Sequence, residues 1–167
     1  MYQVGEYVQY GTHGICRIIG LEIQSVSKKN LEYYVLEPIE QTSSRFFIPT
    51  NNEAATSKMH PIISPDELQR ILSSGDQFSE PWIDDENLRK QRYREIISSG
   101  DRAALVNQLR AVYSYKAKLT EAGRKLHLCD DNFIRDARKL LDSEFSMVLG
   151  IPQNEVGAYI QNALSTE

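Results

Sequence analysis

The chain has 167 residues, of which 41% are hydrophobic and 25% charged, and its formal net charge at pH 7 is −4. This composition is that of a globular protein with one large domain or two small ones. No uncharged apolar run approaches the roughly 18 to 20 residues of a membrane-spanning helix, and the N-terminus lacks a basic flank followed by an apolar stretch, so we expect a cytoplasmic protein with no membrane partner.

The sequence before residue 60 is typical of short β-strands. Four stretches carry the pattern, separated by Gly, Ser, Lys-Asn and Thr-Ser turn signals: EYVQY, GICRIIGLEIQSV, LEYYVLEPI and SRFFIPT. Strands of this length and spacing, with glycines available for bends, predict a small twisted β-barrel over residues 1–60.

The last stretch, SSRFFIPT, is a candidate protein-binding edge. A barrel that does not close fully leaves an edge strand, and a partner can pair with that edge by adding a strand of its own. Phe46 and Phe47 alternate faces, so one of them points away from the core, where beside Arg45 it would make a binding anchor. The alternative is that both phenylalanines pack against local structure.

After residue 60 the pattern becomes helical. Ser64, Pro65 and Glu67 form the capping-box signature of a helix start. Further helices are predicted at residues 84–98, 101–118, about 120–127, 131–149 and 152–164, and the polar segment SSGDQFSEP is the predicted linker. We therefore expect an α+β protein of two domains. The barrel occupies residues 1–60, a capped helix and linker residues 61–80, and an all-α bundle of about five helices residues 81–167.

Charge is distributed unevenly along the helical half. Residues 76–88 carry five acids and no bases, whereas residues 89–125 carry ten Lys/Arg against three acids. Such a basic block can form a phosphate-facing patch even in an acidic protein. A solvated helical face is the alternative explanation.

No arrangement of residues predicts catalysis. His13, His60 and His127 are scattered, and no HxxxH, HExxH or Ser/His/Asp spacing is present. His127 and Cys129 lie two apart, a spacing that points them in different directions on a helix. Cys16 is too distant from Cys129 to indicate a disulfide framework or a CxxC metal site. We expect a protein that is not an enzyme and binds no cofactor or metal.

An ordered series of motifs resembles a known family. VGEYVQYGTHGICRIIGLE, EYYVLEP and FFIPTNN resemble the N-terminal motifs of the CarD/CdnL regulators of bacterial transcription, whose Tudor-like module is shared with the transcription-repair coupling factor. PW, RYRE, SGD, AGRKL, DARKLLDSE and LGI are similar, in order, to the helical half of that family, so the resemblance covers almost the whole chain.

The resemblance implies a function for each half. The N-terminal module would bind the β subunit of RNA polymerase, and the helical module would contact promoter DNA near the upstream edge of the melted bubble. Bound there, a protein expected to act as a monomer would modulate open-complex stability. The alternative is an adaptor that binds polymerase or another protein without touching DNA.

Candidate residues follow for both partners. For the β subunit, the candidates follow from the edge-strand argument above and not from the resemblance, since the loop before FFIP differs from that of the family: they are Arg45, Phe46, Phe47 and Pro49. For promoter DNA, contacted at the minor groove and phosphates without sequence specificity, the resemblance implies Trp82, Arg89, Lys90, Arg92, Arg94, Arg124 and Lys125. In this chain IDDENLRKQ separates the tryptophan from the Arg-Tyr pair, about one helical turn more than in the usual members, and places three acids beside the ring.

Trp82, the only tryptophan, has two interpretations. In a minor-groove contact its ring would lie against a distorted base step while the following bases pair with phosphates. In the alternative the ring is a hydrophobic staple that packs onto Leu88, ahead of an N-cap at Asp84 or Asp85.

Overall fold

The computed structural model describes residues 1–73 and 81–165. The chain divides into two units, Met1–Ile62 and Ile63–Glu167. Residues 74–80, which make up most of the predicted linker, lie outside the described residues.

The N-terminal unit is built on an antiparallel sheet. Its elements are β1 (Tyr7–Tyr10), β2 (Ile15–Val26), β3 (Lys29–Pro38), β4 (Phe46–Pro49), a short helix α1 (Glu53–Thr56) and β5 (Met59–Pro61). The strand order is β4-β3-β2-β1-β5, so in the described part of the chain β4 and β5 each have a single strand neighbour and the sheet is open. The predicted α+β class is confirmed, whereas the predicted closure into a barrel is not.

One face of the sheet carries the core of this unit. Pairs such as Ile18 with Leu36 and Tyr34 with Ile48 lie opposite each other in neighbouring strands. Because paired residues of antiparallel strands share a face, these side chains collect on one side of the sheet. The buried set is Val8, Cys16, Ile18, Tyr34, Leu36, Ile48 and Met59.

A two-residue turn joins β2 to β3. Val26 pairs with Lys29, and the two residues between them, Ser27 and Lys28, have φ angles of 52° and 65°. Two consecutive positive φ values in a two-residue hairpin are those of a type I′ turn. Neither residue is a glycine, so each side chain stands in the sterically unfavourable left-handed region.

The second unit is helical. Its helices are α2 (Pro65–Ser73), α3 (Glu86–Ser99), α4 (Arg102–Glu121), α5 (Leu128–Leu149) and α6 (Gln153–Ser165). The predicted cap at the start of α2 is present, since the Glu67 N–H donates to Ser64 Oγ at 3.2 Å. Leu68, Ile71 and Leu72 of α2 join the buried cluster that the other helices form. None of the described helices is long and apolar enough to cross a membrane.

The helix predicted at residues 120–127 is wrong. α4 continues to Glu121, Gly123 adopts a φ of +70°, and the Arg124 N–H donates to the Leu119 carbonyl at 2.7 Å. This left-handed glycine with a bond back into the last turn ends the helix. A loop follows, and α5 begins at Leu128 rather than at residue 131. The described part of the chain after residue 80 therefore has four helices, not five.

Candidate functional site

The outer edge of β4 presents backbone groups. Among the described strands β4 pairs only with β3. The Thr50 N–H donates to the Glu32 carbonyl at 3.0 Å, so the backbone N–H and C=O of Thr50 point toward β3. Since backbone direction alternates along a strand, the N–H and C=O of Phe47 face the free edge. Pro49 faces the same way and has no N–H to offer.

The two phenylalanines of β4 lie on opposite faces, as their alternation predicts. Phe46 is half-buried and packs on the core of the N-terminal unit, with ring centroids 4.4 Å from His13 and 5.5 Å from Tyr10. Phe47 is 42% exposed, and Arg45 just ahead of it is exposed as well. The alternative in which both phenylalanines pack is wrong for Phe47.

Trp82 lies in the segment that leads into α3. Its half-buried ring stacks on Tyr115 of α4, with centroids 3.8 Å apart and planes 14° apart, and the guanidinium of Arg89 lies 4.7 Å from the ring centroid. Leu88, the partner expected for a staple, is 58% exposed. The predicted N-cap is present at Asp85, whose side chain accepts from the Leu88 N–H at 2.9 Å. The ring therefore packs against α4 and not, as a staple would, onto Leu88 of α3.

Arg89 does not belong to a solvent-facing basic patch, which corrects the prediction from sequence. It is only 3% exposed, and its Nε donates to Oδ1 of Asp130 at 2.7 Å. Burial by itself lowers the pKa of Arg89, but the hydrogen bonds and charge of Asp130 outweigh burial and raise it. A guanidinium committed in this way cannot also bind a phosphate of DNA.

Lys90 and Arg92 are partly exposed and lie beside acids of their own helix. Lys90 Nζ is 2.9 Å from Glu86 across one turn, and this hydrogen bond raises the pKa of Lys90 and lowers that of Glu86. Arg92 lies 3.7 Å from Glu95. Exposed ion pairs of this kind contribute little to stability and can exchange for other partners.

Arg94, Arg124 and Lys125 are the exposed members of the predicted DNA set. Arg94 and Lys90 line one groove between α3 and α5. Arg124 and Lys125 lie in the loop after α4, whose last residue, His127, approaches Glu86 in the first turn of α3 to 3.8 Å. The groove between α3 and α5 therefore carries Lys90 and Arg94, while Arg124 and Lys125 are exposed in the separate loop after α4.

Two of the three acids that follow Trp82 have structural uses for their side chains. Asp85 caps α3, and Glu86 pairs with Lys90. The side chain of Asp84 is exposed, while its backbone carbonyl accepts from Arg89 at 3.3 Å. Carboxylates at the start of a helix complement its dipole, so local structure explains Asp85 and Glu86 of the insertion.

Three residues around Trp82 were not predicted from the sequence: Tyr93, Tyr115 and Asp130. The Tyr93 hydroxyl donates to Oδ1 of Asp130 at 2.6 Å, and burial, followed by this bond, raises the pKa of Tyr93. Tyr115 is 33 positions from Trp82, and no local spacing connects them. The one available signal was the pattern of Arg89 and Tyr93 four residues apart, which places both on a single helix face.

A comparison with protein families bears on the N-terminal unit. Residues 2–63 match the family model of the CarD-like/TRCF RID domain. The N-terminal unit is a CarD-like domain. This confirms the resemblance found in the strand motifs and supports a transcription-related protein that interacts with RNA polymerase. No curated protein matches the chain.

The CarD-like domain includes the β4 edge and exposed Phe47, but not Trp82. The match ends at residue 63, and the resemblance of the helical unit to the same family stays a prediction.

Proposed function

We propose that this protein is a non-enzymatic transcription regulator. Its CarD-like domain binds the β subunit of RNA polymerase through the β4 edge, and its helical unit contacts promoter DNA at the upstream edge of the melted bubble. Binding the open complex more tightly than the closed one shifts their balance by no more than that difference in affinity.

The polymerase contact rests on the family match together with the geometry of β4. The edge combines outward-facing backbone groups at Phe47 with an exposed aromatic ring and the cation of Arg45. Main-chain pairing at such an edge supplies affinity, and an aromatic anchor beside an arginine supplies specificity.

The first experiment tests this edge. In the full-length protein, Arg45→Glu combined with Phe47→Ala should reduce co-purification with polymerase at least tenfold, as expected when an anchor worth about 1.4 kcal/mol or more is removed. The matched control is Lys29→Glu with Val26→Ala, an exposed pair at the tip of the β2–β3 hairpin that carries the same kinds of change. Equal losses in the two double variants, or normal binding of the edge variant, would contradict the proposal.

The DNA contact is supported by exposed bases on the helical unit, which also carries Trp82. These exposed bases are Arg94, Arg124 and Lys125. Exposed cations bind phosphates and release counterions, while an aromatic edge can rest against a widened base step. The half-buried ring presents only part of its surface, so an edge contact fits it better than full insertion between bases.

The second experiment separates DNA binding from stability. Trp82→Ala should reduce the free energy of unfolding by about 2 to 3 kcal/mol, since it removes the buried part of a half-buried ring, one aromatic stack and one cation–π interaction. It should also shorten the lifetime of the polymerase open complex. Neutralising Arg94, Arg124 and Lys125 should flatten the salt dependence of DNA binding by about one slope unit for each phosphate that is no longer neutralised.

The control removes two exposed positive charges of α5 outside the predicted set, through Arg135→Gln and Lys139→Gln. It should leave the salt slope nearer to the wild-type value. A normal open-complex lifetime in the Trp82→Ala protein would sink the DNA role of the ring.

One observation favours the adaptor function instead. Trp82 already has two aromatic or cationic partners within the helical unit, and exposed Asp84 beside it would repel phosphate. If the full-length protein shows polymerase binding but no salt-sensitive binding to duplex or forked DNA, the adaptor is the better description.

A further inference from the structure

We propose that Asp130 and Tyr93 are positioning residues that hold the Trp82 ring in place through Arg89. The inference rests on the proposed function only in assigning the ring a contact with promoter DNA. The fixing of the ring itself is a property of the free protein.

Arg89 is the centre of this arrangement. Its guanidinium has five N–H groups, and five acceptors surround it. They are both carboxylate oxygens of Asp130 at 2.7 and 3.2 Å, the carbonyls of Ile83 and Asp84 at 2.9 and 3.3 Å, and Sγ of Cys129 at 3.7 Å. Two of these acceptors belong to the two residues that follow Trp82, so the guanidinium fixes the backbone that carries the ring.

Asp130 fixes the guanidinium in turn. It is fully buried at the start of α5, and it receives Nε and Nη2 of Arg89 in a bidentate pair. Such a pair specifies the plane of the guanidinium as well as its position. The Tyr93 hydroxyl donates to the same Oδ1 at 2.6 Å, which restrains the carboxylate from a second direction.

The position of the Trp82 ring depends on the guanidinium held in this way. Its ring lies 4.7 Å from the Arg89 guanidinium carbon and 3.8 Å from the Tyr115 ring. A ring that is already held in one orientation binds a partner more tightly, because ordering the ring at the moment of binding costs affinity. The series of contacts from Tyr93 to Asp130 to Arg89 therefore determines how much of the Trp82 ring is accessible to a partner.

The test uses the full-length protein and the fluorescence of Trp82, which is unambiguous because the chain has one tryptophan. Asp130→Asn removes the charge that orients Arg89 and should raise the acrylamide quenching constant of Trp82 about twofold, as the ring loses its cationic cover. The same variant should shorten the open-complex lifetime in the direction of Trp82→Ala.

Glu144→Gln is the matched control. Glu144 is also buried, and it likewise forms a bidentate pair, with Arg102 at 2.9 and 3.0 Å. It makes no contact with Trp82 among the bonds described, so this variant should lose stability while its quenching constant stays at the wild-type value. Equal quenching in the two variants, or wild-type quenching in folded Asp130→Asn, would overturn the proposal.

Tyr93→Phe decides the matter if Asp130→Asn does not fold. It removes the hydroxyl that binds Asp130 and leaves the ring stacked on Phe133 at 4.3 Å. A rise of quenching smaller than twofold supports the positioning role, and a wild-type value refutes it. Raised quenching with an unchanged open-complex lifetime supports the positioning and contradicts the DNA role of Trp82, so the two proposals fail separately.

Discussion

Arg89 and Arg102 belong to the same basic stretch of sequence, yet both are used inside the helical unit. Arg89 pairs with Asp130, and Arg102 pairs with Glu144, which also accepts from the Ile63 N–H at 2.8 Å. Counting charges along the chain cannot separate such arginines from exposed ones, because their acidic partners lie about 40 positions away. Which bases of this stretch are exposed could therefore not be predicted from the sequence residue by residue.

At the residue scale we predict an alkaline weakness centred on Tyr93. Burial and the bond to Asp130 raise the pKa of its phenol in the folded state. The neutral phenol is therefore favoured by folding, and its stabilising effect is complete below the unfolded pKa of about 10 and is lost as pH rises above it.

Denaturant unfolding measured from pH 8 to pH 11 tests this. Tyr93→Phe should cost about 1 to 3 kcal/mol at pH 8, where a hydrogen bond to a charged group is removed, and its unfolding free energy should fall less steeply above pH 10 than that of the wild type. Parallel pH profiles for the two proteins would show that Tyr93 does not carry the effect.

At the element scale, boundaries were predictable where a local signal decides them. Asp101 caps α4 through the Ala104 N–H at 3.1 Å, and Gly100 and Gly150 end α3 and α5 in left-handed conformations. The helix predicted at residues 120–127 is absent because Gly123 ends α4 in a left-handed conformation, which a continuing helix does not allow. A glycine is the signal both at the helix ends that were predictable and at Gly123, and only its position relative to the last helical turn differs.

The β2–β3 turn gives an element-scale prediction. Replacing Ser27 with Asn and Lys28 with Gly should stabilise the N-terminal unit by about 1 kcal/mol, because these residues adopt positive φ at lower cost. The gain is measured as a higher denaturation midpoint followed by the β-sheet circular dichroism signal.

Asn30→Gly is the control for this turn, since Asn30 lies in β3 opposite Ser25 and has no positive φ. Glycine there should destabilise the strand by about 0.5 to 1 kcal/mol. If the turn variant is no more stable than the wild type, the left-handed conformation of Ser27 and Lys28 does not destabilise the fold.

At the scale of the whole molecule, the sequence predicted the order of strands followed by helices but not how distant segments meet. β5 pairs with β1 across about 50 residues, with His60 opposite Gln9, and Trp82 meets Tyr115 across two helices. Contacts of such sequence separation leave no trace in local periodicity. The open sheet and the stacking of Tyr115 on the Trp82 ring could therefore not be predicted from the sequence.

The open sheet has a further consequence for the behaviour of the protein in concentrated solution. Pro49 on β4 faces its free edge, and on β5 the Gly11 N–H bond to the Lys58 carbonyl sets an alternation that turns Pro61 outward as well. Each terminal strand thus has a proline where an incoming strand of another copy would need an N–H donor. Short edges interrupted by proline resist the sheet-to-sheet growth that leads to aggregation, while β4 keeps one donor position, at Phe47, for a partner that fits it.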